Sequence, residues 1–340
     1  MTTLINIYST LRAPSALDFP HELVGHRTLS DPDLTTHLNG FAGYVQSRGD
    51  GQMTQTRYHV LLHILRVRRQ FSIHVEDQDF EAMAQWVWRA NGICFTPEGA
   101  VRDPDGLILV GPGGENDPEA QVPYPPDAVD RKTRMESVLM ESGIRTPTTL
   151  PPVIGASEVE LQTASEVAQR ALALFLPSLK AESLDLNQPI PTVELQTQFP
   201  LGFEALTPME RSFIFSDPPS QQDIVNFAWR YEAQAALQWA LGLSELPWPT
   251  QNCDVAKAAR NILNNNSAAF IQSAVLRPTE EILDALDLHY RLHWAVREAH
   301  QQELSPPAQL EPGVISERHH ALNWLVRFEN ADWDDVDTPT

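Results

Sequence analysis

The chain has 340 residues, of which 42% are hydrophobic, so it is long enough for two globular domains with ordinary cores. Its 45 Asp and Glu residues outnumber its 24 Lys and Arg residues and give a formal net charge of −21, which argues against nucleic-acid binding because cations hold phosphates. There is no apolar run of the roughly 18 residues that a membrane span needs, no secretory signal opens the chain, and the only cysteines are Cys94 and Cys253. We therefore expect a cytoplasmic protein without a disulfide framework.

The first 110 residues alternate between strand and helix patterns. The predicted elements are a strand over 3–10, a helix over 31–48, strands over 57–67 and 71–76, a helix over 77–92 and a hairpin over 100–110. Asp31 is a suitable N-cap for the first helix, with Pro32 at its first position, and Gly92 is a suitable stop for the second. These elements predict a small α/β sandwich domain over residues 1–110.

A segment rich in proline and glycine follows, residues 111–128. Five Pro and three Gly among eighteen residues cannot continue a helix or an inner strand, because proline lacks the backbone N–H that both elements need. We expect a solvated backbone here and predict a linker between two domains.

The remaining residues, 129–340, carry helical patterns. The predicted helices cover 130–142, 158–184, 220–242, 253–264, 266–276, 279–303 and 316–329, with a proline-broken stretch over 186–200. Thr207 and Glu210 have the spacing of a capping box, with Pro208 at the first helical position. The predicted fold class is therefore α+β, with a small N-terminal α/β sandwich domain followed by a larger all-α domain.

The candidate chemistry lies in polar side chains of the predicted helices, because no familiar catalytic or phosphate-binding motif occurs. The helix over 279–303 alone carries several of these side chains among Leu, Tyr and Trp residues. The polar cluster comprises Arg230, Glu232, Asp287, His289, Arg291, His293, Glu317, Arg318, His319 and Asn323.

A metal site is one interpretation of the polar cluster. His289 and His293 are four residues apart on one helical face, so they could share a metal ion. Glu317 or His319 could supply a third ligand. Two histidines without an acid at fixed spacing are a weak pattern, so no metal is predicted.

A structural network is the favoured interpretation, and catalysis is the remaining one. Asp287 precedes Arg291 by four residues, which is the favoured order for an ion pair on a helix. We expect Arg291, His293, Glu232 and Glu317 to form a buried, mutually satisfied network, because an unpaired buried charge costs several kcal/mol. Such a network would hold the helices in register.

Seven segments of the second half carry a family resemblance. They are "SGIRTPTTLPP" (142–152), "SEVAQRALAL" (165–174), "LTPMERSFI" (206–214), "WRYEAQAALQWALG" (229–242), "LRPTEEILDALDLHYRLHWAVREA" (276–299), "PGVISERHHALNWL" (312–325) and "WDDVDTPT" (333–340). On these segments the chain from about Arg131 to Thr340 resembles the bacterial domain of unknown function family 4272. That resemblance implies a bacterial protein without established enzyme activity. It also implies that members of the family resemble the products of genes found beside toxins of contact-dependent secretion. The whole chain resembles the immunity proteins of type VI secretion.

Charge and resemblance together predict an immunity protein that binds and neutralises a cognate toxin, a basic nuclease, without catalysis of its own. The candidate toxin-binding acids are Glu115, Asp117 and Glu119 in the linker and Asp332, Asp334, Asp335 and Asp337 near the C-terminus. The alternative is an uncharacterised hydrolase-like enzyme that uses the His/Arg/Glu cluster. We predict no catalytic residue, cofactor, nucleic-acid partner or membrane partner, and the oligomeric state stays open.

Overall fold

The computed structural model describes all 340 residues, and the chain divides into two compact units. Unit 1 comprises Met1–Asp130 and Pro151–Val159, and unit 2 comprises Arg131–Leu150 and Glu160–Thr340. An antiparallel sheet lies in unit 1, and unit 2 is helical, so the chain has the predicted α+β fold. None of the helices combines the length and the apolar character that a membrane-spanning segment needs.

The sheet of unit 1 has six antiparallel strands in the order β2-β3-β1-β4-β5-β6. Its elements are β1 (Thr2–Ser9), β2 (Glu22–Thr28), α1 (Pro32–Gln46), α2 (Gln55–Arg66), β3 (Arg69–Glu76), α3 (Phe80–Arg89), β4 (Gly92–Phe95), β5 (Val101–Arg102) and β6 (Ile108–Val110). Ile7 of β1 packs with Trp86 of α3, whereas the next residue, Tyr8, packs with Phe41 of α1 and Val60 of α2. Since successive side chains of a strand point to opposite faces, helices cover both faces and form the predicted sandwich.

One predicted strand of unit 1 is wrong, because residues 57–67 lie almost entirely in helix α2. The buried side chains of Val60, Leu61 and Ile64 recur at helical spacing, and Thr54 caps the helix by accepting from the backbone N–H of Arg57. A short apolar run fits both the strand and the helix period, and here the helical face covers the sheet. Strands β2 and β4 were not predicted.

The proline- and glycine-rich segment 111–128 belongs to unit 1 and contacts its sheet and core. The carboxylate of Asp117 accepts from the backbone N–H of Ile108 in β6 at 2.6 Å. Ala120 and Val122 pack against the core on the α1 and α2 face of the sheet. The segment thus covers the sheet without adding a strand to it, which suits residues that lack the donors of a sheet ladder.

Unit 2 is built around one central helix. The helices are α4 (Pro126–Glu141, which begins in unit 1), α5 (Ala164–Asp185), α6 (Thr192–Gln198), α7 (Pro200–Glu204), α8 (Pro208–Phe215), α9 (Gln221–Ala240), α10 (Val255–Leu263), α11 (Ser267–Gln272), α12 (Thr279–Gln301) and α13 (Pro312–Leu325). Most of α5 is buried on all sides, which is typical of a helix at the centre of a domain. Helix α9 packs on α5, α13 on α9, and α12 on α13, so the helices that carry the polar cluster are neighbours.

The predicted capping box at α8 is confirmed. The Thr207 hydroxyl accepts from the backbone N–H of Glu210 at 3.2 Å, and the Glu210 carboxylate accepts from the backbone N–H of Thr207 at 2.9 Å. Glu210 is also buried and pairs with Arg170 of α5 at 2.5 Å. The cap therefore fixes both the start of α8 and its position against α5.

Candidate functional site

The predicted ion pair on α12 is confirmed and fully buried. The Nε and Nη2 atoms of Arg291 donate to the two carboxylate oxygens of Asp287 at 2.7 and 2.9 Å, and neither side chain is exposed. The Nη1 atom of Arg291 lies 3.5 Å from the carboxylate of Glu136 on α4. This pair therefore tethers α12 to α4.

A second buried pair joins α9 to α13. Arg318 donates from Nε and Nη2 to one carboxylate oxygen of Glu232 at 3.1 and 3.0 Å. Its Nη1 donates to the carbonyl oxygen of Pro247 at 2.6 Å, and the backbone N–H of Cys253 donates to the other oxygen of Glu232. Every polar group of the pair thus has a partner, which is the condition for burying two charges.

Arg230 and Glu317 form a third pair, which is partly exposed. Arg230 Nη1 donates to the Glu317 carboxylate at 3.1 and 3.3 Å. Burial raises the pKa of Glu317, and the Arg230 guanidinium opposes that rise. The predicted single network is therefore divided, since Arg291 and Glu232 have different partners.

The histidines of the cluster are buried and neutral at pH 7. His289 Nδ1 donates to the carbonyl oxygen of Ala285 at 2.7 Å, and its Nε2 has no partner. Nδ1 atoms of His293 and His319 lie 2.9 Å apart, so one ring donates and the other accepts. Burial lowers the pKa of His289 and of His293 to about 4 and the pKa of His319 well below its usual value.

The histidines of the cluster do not have the geometry of a shared metal site. His289 and His293 use their Nδ1 atoms for different partners, although they share a helical face. No group of three or more His, Cys, Asp or Glu side chains is arranged to hold a metal ion. What the histidines and the ion pairs do in this structure is to connect α4, α9, α12 and α13.

The C-terminal residues are anchored to α13 and α8. Asn323 donates from Nδ2 to the backbone oxygen of Asp337 at 2.8 Å. The Asp334 carboxylate accepts from the backbone N–H of Met209 in the first turn of α8 at 3.1 Å, where a negative charge suits the helix dipole. Asp334 and Asn323 therefore have structural contacts within unit 2.

The predicted toxin-binding acids differ in their freedom to contact another protein. Five are exposed, namely Glu115, Glu119, Asp332, Asp335 and Asp337. Asp117 and Asp334 are only partly exposed, and each accepts a backbone N–H within its own unit. The three candidate acids in the segment 111–128 belong to unit 1 and the other four candidates to unit 2.

A cleft of about 240 Å³ reaches the Glu232 side of the polar cluster. We call it the α9 cleft, and its lining includes Asp185 of α5, Ile224, Val225, Trp229 and Glu232 of α9, and Cys253. No histidine lines it. Burial raises the pKa of the Cys253 thiol to about 12, so the thiol is protonated at neutral pH and is not activated as a nucleophile.

Of the residues that line the α9 cleft, the sequence predicted only Glu232 as a site residue, and it missed Asp185, Trp229 and Cys253 among others. No local pattern marks Asp185, which ends α5, or Cys253, which precedes α10, because their neighbours in space are distant in sequence. Trp229 directly precedes Arg230, and a Trp beside a charged residue of the polar cluster was a usable signal. Only the assembled helices bring the three together.

Comparison with known proteins places unit 2 in a family. No curated protein and no solved structure matches the chain. A family model described as "Domain of unknown function (DUF4272)" matches residues 131–336, more than half of the chain. The polar cluster and the α9 cleft both lie within the matched residues. The chain therefore belongs to the DUF4272 family.

Proposed function

We propose that this chain is an immunity protein that binds and neutralises a basic bacterial toxin, a nuclease of type VI secretion, without a reaction of its own. The location of its acidic surplus carries the proposal. Only five of the 45 Asp and Glu residues are buried, and six of the 24 Lys and Arg residues are buried, so the whole excess lies at the surface. A nuclease exposes cations to hold phosphates, and opposite charges speed the encounter of two proteins.

The five buried acids are engaged within the chain. Four pair with arginine, namely Glu158 with Arg66, Glu210 with Arg170, Glu232 with Arg318 and Asp287 with Arg291. The fifth, Asp103, accepts backbone N–H groups of Leu107 and Gln121. Burial therefore accounts for five of the acids, and the other 40 lie wholly or partly at the surface.

The hydrolase-like alternative has less support from the geometry. A histidine that acts as a general base must be reachable and must have a pKa near the working pH, whereas His289 and His293 are buried with pKa values lowered to about 4. The arginines of the cluster point at carboxylates of the chain, and the thiol in the α9 cleft stays protonated. These features favour a structural role for the cluster.

Co-expression tests the proposal. The chain is produced together with basic nuclease toxins encoded beside genes of this family, and growth and co-purification are measured. We expect restored growth and a stable complex with at least one toxin. Rescue should persist in the variants His293→Ala and Glu317→Ala when circular dichroism shows that they fold, because no reaction depends on these side chains.

Two results would overturn the proposal. One is the absence of rescue and of any complex at low ionic strength across the toxins tested. The other is rescue that disappears in folded Glu317→Ala while the complex still forms, since this would assign a reaction to the cluster.

A further inference from the structure

The α9 cleft has the size and lining of a site for one long basic side chain. We propose that it receives an arginine side chain of the basic partner; the proposal rests on the proposed function for the identity of that partner. Its volume of about 240 Å³ is below the roughly 300–1,000 Å³ of pockets that enclose small-molecule ligands. A single side chain fits this space better than a cofactor does.

The charged side chains that line the α9 cleft are acidic. Asp185 and Glu232 line it, and no Lys, Arg or His does. The charge of Glu232 is balanced by Arg318, whereas the exposed Asp185 carboxylate makes no hydrogen bond or ion pair within the chain. The cleft therefore contains one uncompensated negative charge.

The end of α5 strengthens the preference for a cation. Asp185 is the last residue of this 22-residue helix, whose carbonyl end carries partial negative charge. Glu182 lies one turn earlier and accepts from the hydroxyl of Tyr231, which also lines the cleft, at 2.8 Å. The carboxylates of Asp185 and Glu182 and the carbonyl end of α5 thus all favour a ligand with positive charge.

The walls of the α9 cleft suit the rest of an arginine side chain. Ile224, Val225 and Val255 offer apolar surface for its methylene stem, as basic side chains require when only their heads stay polar. The indole of Trp229 lies against Gly313 and also lines the cleft, and an aromatic ring is a favourable partner for a guanidinium. A planar guanidinium can stack on this ring and meet a carboxylate in two hydrogen bonds, which the ammonium of lysine cannot do.

A free arginine derivative tests the cleft without a toxin. The full chain is labelled with 5-fluorotryptophan, and the Trp229→Phe variant assigns the fluorine resonance of Trp229. N-acetyl-arginine amide should shift this resonance in a saturable way, whereas N-acetyl-citrulline amide, which is neutral and of similar shape, should not. An equal response to the citrulline or lysine derivative, or a saturable response confined to other tryptophans, would overturn the proposal.

A matched pair of variants separates the cleft from the general acidic surface. Asp185→Asn and Glu141→Gln each remove one exposed charge from a helix end of unit 2, but only Asp185 lines the cleft. Asp185→Asn should weaken the binding of the arginine derivative and of the toxin by roughly tenfold, mainly through faster dissociation. Glu141→Gln should weaken both by less than about twofold. If the two variants have equal effects in a chain that still neutralises toxin, the arginine site in the cleft is contradicted and the immunity function is not. If the chain binds the arginine derivative but neutralises no toxin, the immunity function is contradicted and the arginine site is not.

Discussion

At Gly313, a single missing side chain lets two helices approach. A Cβ at this position would lie 2.8 Å from ring carbons of Trp229, closer than real contacts allow. Gly313 stands in the first turn of α13 and Trp229 on α9, so a Cβ must displace the indole or push the two helices apart. This close approach also holds the indole that lines the α9 cleft.

Gly313→Ala should therefore destabilise unit 2 by about 1–3 kcal/mol, as overpacking of a rigid contact does. Urea unfolding measures the change. Gly40→Ala on α1 is the control, because nothing lies within 4 Å of its Cβ and alanine is the better helix former by about 0.5–1 kcal/mol. If Gly313→Ala unfolds at the same urea concentration as the wild type, Trp229 of α9 does not pack tightly against Gly313 of α13.

His289 gives stability a pH dependence of known sign. Burial lowers its pKa in the folded chain from 6.5 to about 4, so the unfolded chain takes up the proton first. The contribution of the neutral His289 ring to the free energy of unfolding is complete above about pH 6.5 and is lost as the pH falls towards 4. At that lower limit the loss amounts to roughly 3 kcal/mol for a group that is 3% exposed.

The variant His289→Gln should flatten this dependence, because glutamine can still donate to the Ala285 carbonyl and does not titrate. The free energy of unfolding is measured from pH 7.5 to pH 4.5 for both proteins. His300→Gln makes the same replacement at an exposed position of the same helix and serves as the comparison. Parallel slopes for wild type and His289→Gln would show that His289 is not buried as a neutral ring.

Local spacing predicted some of the polar contacts and not others. Asp287 and Arg291 belong to one helix, so their pairing followed from an i, i+4 pattern. The pairing of Glu232 with Arg318 depends on how α9 meets α13, which no sequence spacing encodes. The partner of His293 is hidden for the same reason, because His319 comes from α13.

At the scale of elements, the start of a helix was predicted correctly where a capping pattern marks it, because a cap depends on a few adjacent residues. The α8 capping box was identified from Thr207 and Glu210 alone. Strand β2 was missed because it is an edge strand whose side chains are mostly exposed, and β4 because it has four residues. Residues 57–67 were predicted as a strand because a short apolar run fits both the strand period and the helix period.

The cap at α8 makes a prediction of its own. Thr207→Ala removes the acceptor for the backbone N–H of Glu210 and should cost about 1 kcal/mol. Thr207→Ser keeps the acceptor and should remain within about 0.3 kcal/mol of wild type. Thermal and urea unfolding of the two variants give the comparison, and equal losses would show that the hydroxyl does not cap the helix.

For the whole molecule, composition revealed the negative charge but not its location. The buried cations slightly outnumber the buried acids, so folding leaves the surface at least as acidic as the sequence average. This surface is present on a chain whose larger unit belongs to the DUF4272 family. Its use against a basic toxin is the central claim of the proposed function.

The rate at which the purified chain binds the toxin that it neutralises tests this claim most directly. Stopped-flow association is measured from low to high ionic strength, with Asp185→Asn and Glu141→Gln beside the wild type. Steering by the acidic surface predicts an association rate constant on the order of 10⁸ M⁻¹s⁻¹ at low salt that falls at least tenfold at high salt. A rate that does not change with salt, or the absence of a complex at low salt, would contradict it.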